Sequence, residues 1–366
     1  MKIFKIMLPV IALLAVGTGY ANKNDVNNNA NKNDVKVAEQ HNNEESLDNA
    51  NRVLYEGCIN QKIGGACNSL GYAYSKGQGV KQDYSKANIY YEKACNLNDG
   101  NGCFNLGVLY AKGKGVKQDY KKANTYYEKS CNLDFGDGCY NLGISFNNGE
   151  GVKQDYKKAN TYYEKACNQN IGDGCNNLGN LYKDGRGIKQ DYKKANTYYE
   201  KACNLHGGSG CLNLGNSYCD GRGIKQNYKK ALTYYEKACN MNNGVGCYNL
   251  GFLYNSGKGV KQNYSLAKTY YEKACTLDDS SGCTNLGFLY ANGLGLRQSM
   301  SIAASYFEKG CNLNAGITCN NLGILYENGI GVNQNRTIAK EYYGKACDLG
   351  SQEGCDNYRK LNEQGY

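Results

Sequence analysis

Cysteine pairs that recur every 36 residues constrain this chain more than any other feature of its sequence. In eight regular pairs the second cysteine follows the first by eight positions, and a ninth pair, Cys58 and Cys67, has one extra residue between its members. The regular pairs are Cys95–Cys103, Cys131–Cys139, Cys167–Cys175, Cys203–Cys211, Cys239–Cys247, Cys275–Cys283, Cys311–Cys319 and Cys347–Cys355. Self-similarity with a period of about 20 to 50 residues is typical of a stacked array of small units rather than of one globular core.

Each period has the pattern of two short helices. In the unit that begins at Cys103, Leu106 and Leu109 give apolar bulk to a first helix, and Gly113 is the left-handed stop that commonly follows a helix. Asp119 is placed to cap a second helix, in which small and apolar side chains recur three and four positions apart. The sequence therefore predicts an all-α fold, an α/α solenoid (superhelix) of 36-residue units.

Small residues recur at fixed places in both helices. A glycine occupies the position of Gly107 in the first helix of every unit, although glycine inside a helix costs about 1 kcal/mol relative to alanine. We expect the backbone of the neighbouring helix to lie too close there for a side chain. The second helix repeats an alanine at the position of Ala123 and a tyrosine pair such as Tyr126 and Tyr127. Close packing of the two helices is the prediction.

The cysteine spacing predicts a disulfide between the end of one helix and the start of the next, across a turn rich in Gly, Asn and Asp. Closing so small a loop contributes about 2 to 3 kcal/mol through the unfolded state. A 36-residue unit has too little core to be stable alone, so such cross-links are expected. Zinc is the competing use of paired cysteines. Because the chain has only two histidines, His41 and His206, we expect no metal site, and we expect no cofactor.

The start of the chain has the pattern of a secretory signal, with Lys2 and Lys5 before a short apolar run. We expect 1–21 to be a signal peptide and 22–45 a disordered leader rich in Asn and Lys. The solenoid should fill 46–366 with nine disulfide-linked helical hairpins, the last helix being a polar cap. Disulfides persist in oxidising compartments, so we expect an exported protein, periplasmic or extracellular. No later apolar run is long enough to predict a membrane span.

The units also carry a family resemblance. Their consensus, NLGxLYxxGxGVKQDYxKAxxYYEKAC, resembles the Sel1-like repeat, a relative of the tetratricopeptide repeat. The cysteine pair in every unit is similar to the Helicobacter cysteine-rich protein family, exported proteins built of disulfide-linked Sel1-like units. The resemblance covers about Leu47 to Gly365, and later units drift from the consensus, as at Gly310 and Gly344. It implies a binding scaffold, and some members of that family carry a β-lactamase or penicillin-binding label.

In the related tetratricopeptide fold the first helices line a concave groove, so the resemblance places a ligand groove on the first helices. The positions that vary among units lie one, five, eight and nine residues after the second cysteine, and a spacing of four puts two of them on one helix face. A row of asparagines from Asn68 to Asn357 runs beside them. The groove residues that we expect are Phe104, Tyr140, Tyr248, Phe252 and Phe288, with Asn105, Asn141, Asn177, Asn213, Asn249 and Asn285.

Two interpretations of the asparagine row remain open. Its amides both donate and accept, so they could hold the backbone of an extended peptide or a glycan. Alternatively, each asparagine bonds the backbone of a neighbouring unit and sets the superhelix, because a residue repeated in every unit is first of all a packing signature. The variable aromatic residues are the better guide to specificity, unless they are scattered surface apolar side chains.

Cys219 has no partner in the cysteine series. It occupies a groove position where other units carry Ala111, Asn147, Lys183 or Asn255. An odd cysteine in an exported protein is a candidate for a mixed disulfide with a partner, for dimerisation or for a free reactive thiol. The alternative is a tolerated substitution buried against the next unit.

Catalytic signals in the sequence are weak. Ser265 and Lys268 have the Ser-x-x-Lys spacing of serine β-lactamases, but they replace an ordinary KKAN segment and no SDN or KTG motif follows. Lysines interleaved with acidic residues, such as Lys121 and Lys122, are typical of a solvated face. The net charge of +10 is mildly basic, and export argues against nucleic acid as a partner.

We therefore expect an exported, disulfide-rich repeat scaffold that binds a peptide, a protein or a peptidoglycan fragment in its groove. A weak β-lactamase or penicillin-binding hydrolase is the alternative that the family label implies. A host receptor is a further candidate partner if the protein is released from the cell.

Overall fold

The computed structural model describes residues 48–366, so the expected signal peptide and leader lie outside the described part of the chain. Over this range the chain forms eighteen α-helices and no β-strand. The first helix, α1, spans Asn49–Ile59, and the last, α18, spans Gln352–Glu363. Between them lie eight helical hairpins, which we number units 1 to 8 in chain order.

The first helices of units 1 to 8 are α2 Gly64–Lys76, α4 Gly100–Lys112, α6 Gly136–Asn148, α8 Gly172–Asp184, α10 Gly208–Asp220, α12 Gly244–Ser256, α14 Ser280–Asn292 and α16 Gly316–Asn328. The second helices are α3 Tyr84–Asn96, α5 Tyr120–Asn132, α7 Tyr156–Asn168, α9 Tyr192–Asn204, α11 Tyr228–Asn240, α13 Tyr264–Thr276, α15 Met300–Asn312 and α17 Arg336–Asp348. Each helix packs mainly on the helices before and after it. The predicted all-α solenoid is confirmed.

Local sequence sets the ends of these helices. The first helix of unit 2 ends at Gly113, whose φ of 63° lies in the left-handed region that favours glycine. The second helix begins after Asp119, whose carboxylate accepts a hydrogen bond from the backbone N–H of Lys122. Later units use Asn227 or Ser299 as the same cap. The interchange of Asp, Asn and Ser keeps the boundary in place because all three side chains can accept this bond.

The recurrent glycine of the first helix faces an aromatic ring. A Cβ atom built on Gly107 would lie 2.7 Å from two ring carbons of Tyr127, and one on Gly71 would lie 2.6 Å from a ring carbon of Tyr91. The nearest backbone atom to the Gly107 position, the carbonyl oxygen of Ala123, is farther away at 3.1 Å. The backbone of the facing helix is therefore close, as expected, but the ring of the buried tyrosine is closer still. Glycine recurs because the buried tyrosine of the second helix fills the space that a side chain would need.

Disulfides cross-link the helices that meet at the turns between units. Nine of them join an odd-numbered helix to the even-numbered helix that follows, from α1 and α2 to α17 and α18, with Cα–Cα distances of 4.4 to 4.6 Å. The predicted Cys-x7-Cys cross-link is confirmed, and Cys58 pairs with Cys67 in the same way. Packing of tyrosine on glycine thus holds the two helices of a unit together, while a disulfide ties each unit to the next.

A compensating exchange occurs at the eighth disulfide. At most disulfides a small residue such as Ala94 precedes the first cysteine and a glycine such as Gly102 precedes the second; a Cβ on Gly102 would lie 2.4 Å from the Cβ of Ala94. Between α15 and α16 these residues are Gly310 and Thr318, and a Cβ on Gly310 would lie 2.8 Å from the Cγ2 of Thr318. The change to glycine at position 310 therefore makes room for the larger side chain of Thr318 on the first helix of the next unit.

Candidate binding surface

The first helices of successive units present one face of the solenoid, which we call the first-helix face. Several consecutive first helices contact each other, as α2 does with α4 and α12 with α14. The predicted aromatic residues lie on this face and are half-buried. Phe104 packs on Tyr127 of its own unit with 6.1 Å between ring centroids, and Tyr248 packs on Tyr271 at 5.8 Å. The inner edges of these side chains therefore belong to the core, and their outer edges form the surface.

Some asparagines of the row bond side chains of the preceding unit. The Asn105 amide donates to the side-chain oxygen of Asn68 at 2.9 Å, and Asn213 donates to that of Asn176 at 2.8 Å. Asn68 and Asn176 lie one position after a cysteine, whereas the members of the row lie two positions after one. The equivalent residue of unit 1 is Ser69, so the inclusion of Asn68 in the row is wrong. These contacts support the packing interpretation, except that the partners are side chains and not the backbone.

Other members of the row lie beside tyrosine hydroxyls. Burial raises the pKa of Tyr127, and the side chain of Asn141 offsets part of that rise. Burial likewise raises the pKa of Tyr140, and the side chain of Asn177 in the next unit offsets part of that rise. The row thus places amides where successive units meet, and an amide has more donor and acceptor positions than one hydrogen bond uses.

The buried tyrosines of the second helices reach the first-helix face, a feature that the sequence did not indicate. Each ring lies against the glycine of the first helix, and in units 4 and 5 the hydroxyl meets a variable side chain of that helix. Tyr199 donates to the side-chain oxygen of Asn180 at 2.8 Å, and Tyr235 donates to that of Asn216 at 2.8 Å. In these units the variable residue five positions after the second cysteine therefore accepts a hydrogen bond from a buried tyrosine, and it also faces outward.

Tyr271 of unit 6 departs from this pattern. Its side chain is fully buried, and its hydroxyl has no hydrogen-bond partner among residues 48–366. Phe252 occupies the position that Asn216 holds in unit 5, so the acceptor is missing. An unpaired buried hydroxyl costs free energy. Unit 6 therefore carries a phenylalanine on the first-helix face in place of a side chain that would pair this hydroxyl.

Cys219 is the free cysteine of the described residues and is half-buried. Burial, followed by the carboxylate of Asp220, raises the pKa of its thiol, while the hydroxyl of Tyr235 and the charge of Lys258 act in the opposite direction. A raised pKa leaves less of the nucleophilic thiolate at neutral pH. The environment of Cys219 favours a tolerated substitution over a reactive group.

The residues that resemble a hydrolase motif lie on the surface of α13. Ser265 is exposed in the first turn of this helix, and its carbonyl oxygen accepts a hydrogen bond from Thr269. The ammonium group of Lys268 lies 3.7 Å from the carboxylate of Glu272. This arrangement does not favour the hydrolase hypothesis. In the described range no three His, Cys, Asp or Glu side chains are grouped to hold a metal ion, and none of its helices is long and apolar enough to cross a membrane.

A second surface, the turn edge, consists of the turns within units and the first turns of the second helices. Beside this edge each unit has one stacked aromatic pair between its two helices, with centroids 5.5 to 5.7 Å apart, such as Tyr110 with Tyr126. In units 1 to 5 a lysine ammonium lies 5.1 to 5.4 Å from the centre of the first ring. These lysines are Lys86, Lys122, Lys158, Lys194 and Lys230. Lys122 is therefore more than part of a solvated face.

The repeats match a known family model, described as the Sel1 repeat. The matched segments are residues 65–99, 100–135, 136–171, 172–206, 208–243, 244–279, 280–314 and 317–351. Each segment covers one unit as defined above to within one residue. Every disulfide from Cys95–Cys103 to Cys311–Cys319 therefore connects two matched segments.

Solved structures with the same type of repeat are similar to the chain. A Sel1 repeat protein from Oxalobacter formigenes has 27% identity and a TM-score of 0.56, covering 61% of this chain and 90% of that one. Helicobacter pylori cysteine rich protein B has 39% identity and a TM-score of 0.31, covering 36% of this chain and 95% of that one. The Escherichia coli protective antigen c5321 has 24% identity and a TM-score of 0.47, with coverages of 86% and 82%. No curated protein matches the chain.

Proposed function

The chain belongs to the Sel1 repeat family, with cysteine pairs spaced as in the Helicobacter cysteine-rich proteins, and from this premise we propose that it is an exported scaffold whose first-helix face binds a peptide, a protein or a cell-wall fragment. Repeats of this kind present long surfaces built from equivalent positions of successive units. The ligand would lie along the first helices and contact several units at once.

The observation that carries this proposal is the aromatic patch of units 6 and 7, which consists of Tyr248, Phe252 and Phe288. All three side chains are half-buried on the first-helix face, at positions that differ from unit to unit. Rigid aromatic side chains that keep one face outward are typical anchors of binding surfaces. Phe252 holds its position although the hydroxyl of Tyr271 then has no hydrogen-bond partner among residues 48–366. A cost of this kind in the core is what a functional surface position would explain.

The amides beside the patch supply polar recognition. The amide of Asn249 donates to Asn216 at 3.2 Å, and that of Asn285 donates to the carbonyl oxygen of Ser281 at 3.0 Å. Each bond uses one of the two N–H groups of its amide, and the side chain of Asn285 also lies beside the hydroxyl of Tyr248. The remaining donor and acceptor positions of these amides would meet the amide groups of a peptide or the hydroxyls of a sugar. Apolar anchors flanked by amides suit an extended ligand with both kinds of group.

Export is the second part of the proposal. Nine disulfides form and persist in an oxidising compartment such as the periplasm or the exterior, and not in a reducing cytosol. The predicted signal peptide at 1–21 agrees with this location. We propose that the ligand is a molecule of the periplasm, the cell wall or the exterior.

The test uses the oxidised protein against a peptide library and against purified muropeptides, with titration calorimetry of the hits. The variant Tyr248→Leu with Phe252→Asn places on unit 6 the residues that unit 5 carries at the same positions, Leu212 and Asn216, so the fold should tolerate it. We expect at least about a tenfold loss of affinity, as for removal of two aromatic anchors. The matched control is Thr233→Ala, an exposed change on the second helix of unit 5. Equal affinity of the double variant and the control would mean that the patch is not the binding site.

A further inference from the structure

The turn edge changes character between units 5 and 6. At the helix position that carries the ring-covering lysine in units 1 to 5, units 6 to 8 carry Leu266, Ile302 and Ile338. Leu266 is 37% exposed and Ile302 is 41% exposed, while Ile338 is half-buried. The stacked aromatic pairs beneath this position continue through unit 8. We call these three side chains the apolar stripe.

A neighbouring position on the turn edge changes in the same direction. Between the two glycines of the turn, Lys114 of unit 2 lies over the ring of Tyr84 at 5.0 Å. Units 7 and 8 carry Leu294 and Ile330 at this position. Leu294 packs in the cluster that contains Tyr264, and Ile330 in the one that contains Met300. Both positions are thus aliphatic in units 7 and 8, whereas unit 6 keeps Lys258 between its turn glycines.

Isolated exposed aliphatic residues are ordinary and need no explanation. The apolar stripe differs because equivalent positions of three consecutive units change together, and because the lysine that they replace has a favourable place over an aromatic ring. The stripe also lies on second helices, α13, α15 and α17, so a ligand that contacts the first helices does not account for it.

We propose that the apolar stripe is the docking surface for a second copy of this chain, with a two-fold axis passing beside Ile302. The three side chains recur at one-unit spacing. A two-fold axis at the middle member therefore brings Ile302 against its own copy and Leu266 against Ile338 of the other chain. A single stripe of this kind is complementary to itself, which is what a symmetric dimer requires.

The distribution of charge agrees with a second copy as the occupant. Residues 64–243 contain 25 Lys and Arg against 16 Asp and Glu, whereas residues 244–366 contain 11 against 10. The two-fold arrangement brings the nearly neutral ends of the two chains together. It also points the two basic halves in opposite directions, where their mutual repulsion is weakest.

The first experiment measures the mass of the oxidised, purified protein by sedimentation velocity over a series of concentrations. We expect a reversible equilibrium between monomer and dimer. The variant Ile302→Lys places two ammonium groups against each other across the axis, and it should raise the dissociation constant at least about tenfold. Units 1 to 5 carry lysine at this position, so the variant should fold, which circular dichroism and thiol counting verify. The control is Ile317→Lys, which changes an equally prominent isoleucine, 52% exposed, on the opposite edge.

The second experiment tests the symmetry of the contact. Leu266→Lys and Ile338→Glu should each weaken the dimer, and the double variant should restore it, because the two new charges meet across the axis. A native protein that stays monomeric, or a dimer that Ile302→Lys leaves unchanged, overturns the proposal. A dimer that the double variant does not restore overturns the two-fold axis. Monomers that instead bind vesicles of anionic lipid through Ile302 would assign the stripe to a membrane surface and also overturn the proposal.

Discussion

Units 1 to 5 and units 6 to 8 share one interior and differ in what covers it. Both regions have the buried aromatic ring on the first-helix glycine, the stacked aromatic pair and the disulfide between units. On the turn edge, however, the first region has a lysine over its rings, and the second carries leucine or isoleucine at the equivalent position. The repeat therefore fixes the positions that hold helices together and leaves others free, and the two ends of one regular scaffold have acquired different surfaces.

The largest expected effect concerns the shared interior. Tyr163→Ala in unit 3 and Phe307→Ala in unit 7 each remove a buried ring that lies against a first-helix glycine. Each change should reduce the free energy of unfolding by about 3 to 5 kcal/mol, as for other buried aromatic residues. Guanidinium denaturation followed by circular dichroism measures both values. A cost confined to one of the two units would show that their interiors are not equivalent.

The disulfides should come next in magnitude. Replacement of Cys167 and Cys175 by alanine, or of Cys311 and Cys319, removes one cross-link from each region. Because the closed loops have the same length, each pair of changes should cost about 2 to 3 kcal/mol of unfolding free energy. The same denaturation under oxidising conditions gives the two numbers. A difference of more than a factor of two would mean that the disulfides strain or support the two regions unequally.

Removal of a tyrosine hydroxyl should distinguish the regions. Tyr199→Phe deletes the donor to Asn180 and should cost about 1 kcal/mol. Tyr271→Phe deletes a hydroxyl without a partner among the described residues, and it should leave the stability unchanged or raise it slightly. Thermal unfolding of the two variants side by side is the measurement. Equal destabilisation by both changes would contradict the account of unit 6.

The smallest expected effect concerns the turn edge itself. Lys158→Ala removes the ammonium group that lies 5.1 Å from the ring centre of Phe146, and it should cost about 0.5 to 1 kcal/mol. In unit 7, Ile302→Lys restores a cation at the equivalent site, so the monomer should be as stable as the native chain or slightly more stable. Denaturation at a protein concentration below the dimerisation range compares the two. Marked destabilisation of the monomer by Ile302→Lys would show that the regions differ beneath this surface too.

Much of the fold follows from the repeat because its signals are local. Gly113, Asp119 and the cysteine spacing act within a few residues of themselves, so helix ends and disulfides can be predicted from the sequence. The reason why glycine recurs at the position of Gly107 could not be predicted, because the sequence does not show which atom of the facing helix comes closest.

The candidate surface was predictable in part. The variable positions identify the first-helix face, and its aromatic residues are half-buried there. The contact of Tyr199 with Asn180 was missed because it depends on the length and direction of a side chain that crosses from the other helix. Lys122 is exposed, as its pattern predicts, but its contact with the ring of Tyr110 could not be predicted because that ring lies twelve positions earlier in the chain.

Hydrogen–deuterium exchange of the protein with its bound peptide or muropeptide tests the proposed function most directly. Protection should increase in the first helices α12 and α14, which carry Tyr248, Phe252 and Phe288, and it should stay unchanged in the second helices of units 1 to 3. Protection confined to the second helices or to the turn edge, with α12 and α14 unaffected, would contradict binding on the first-helix face.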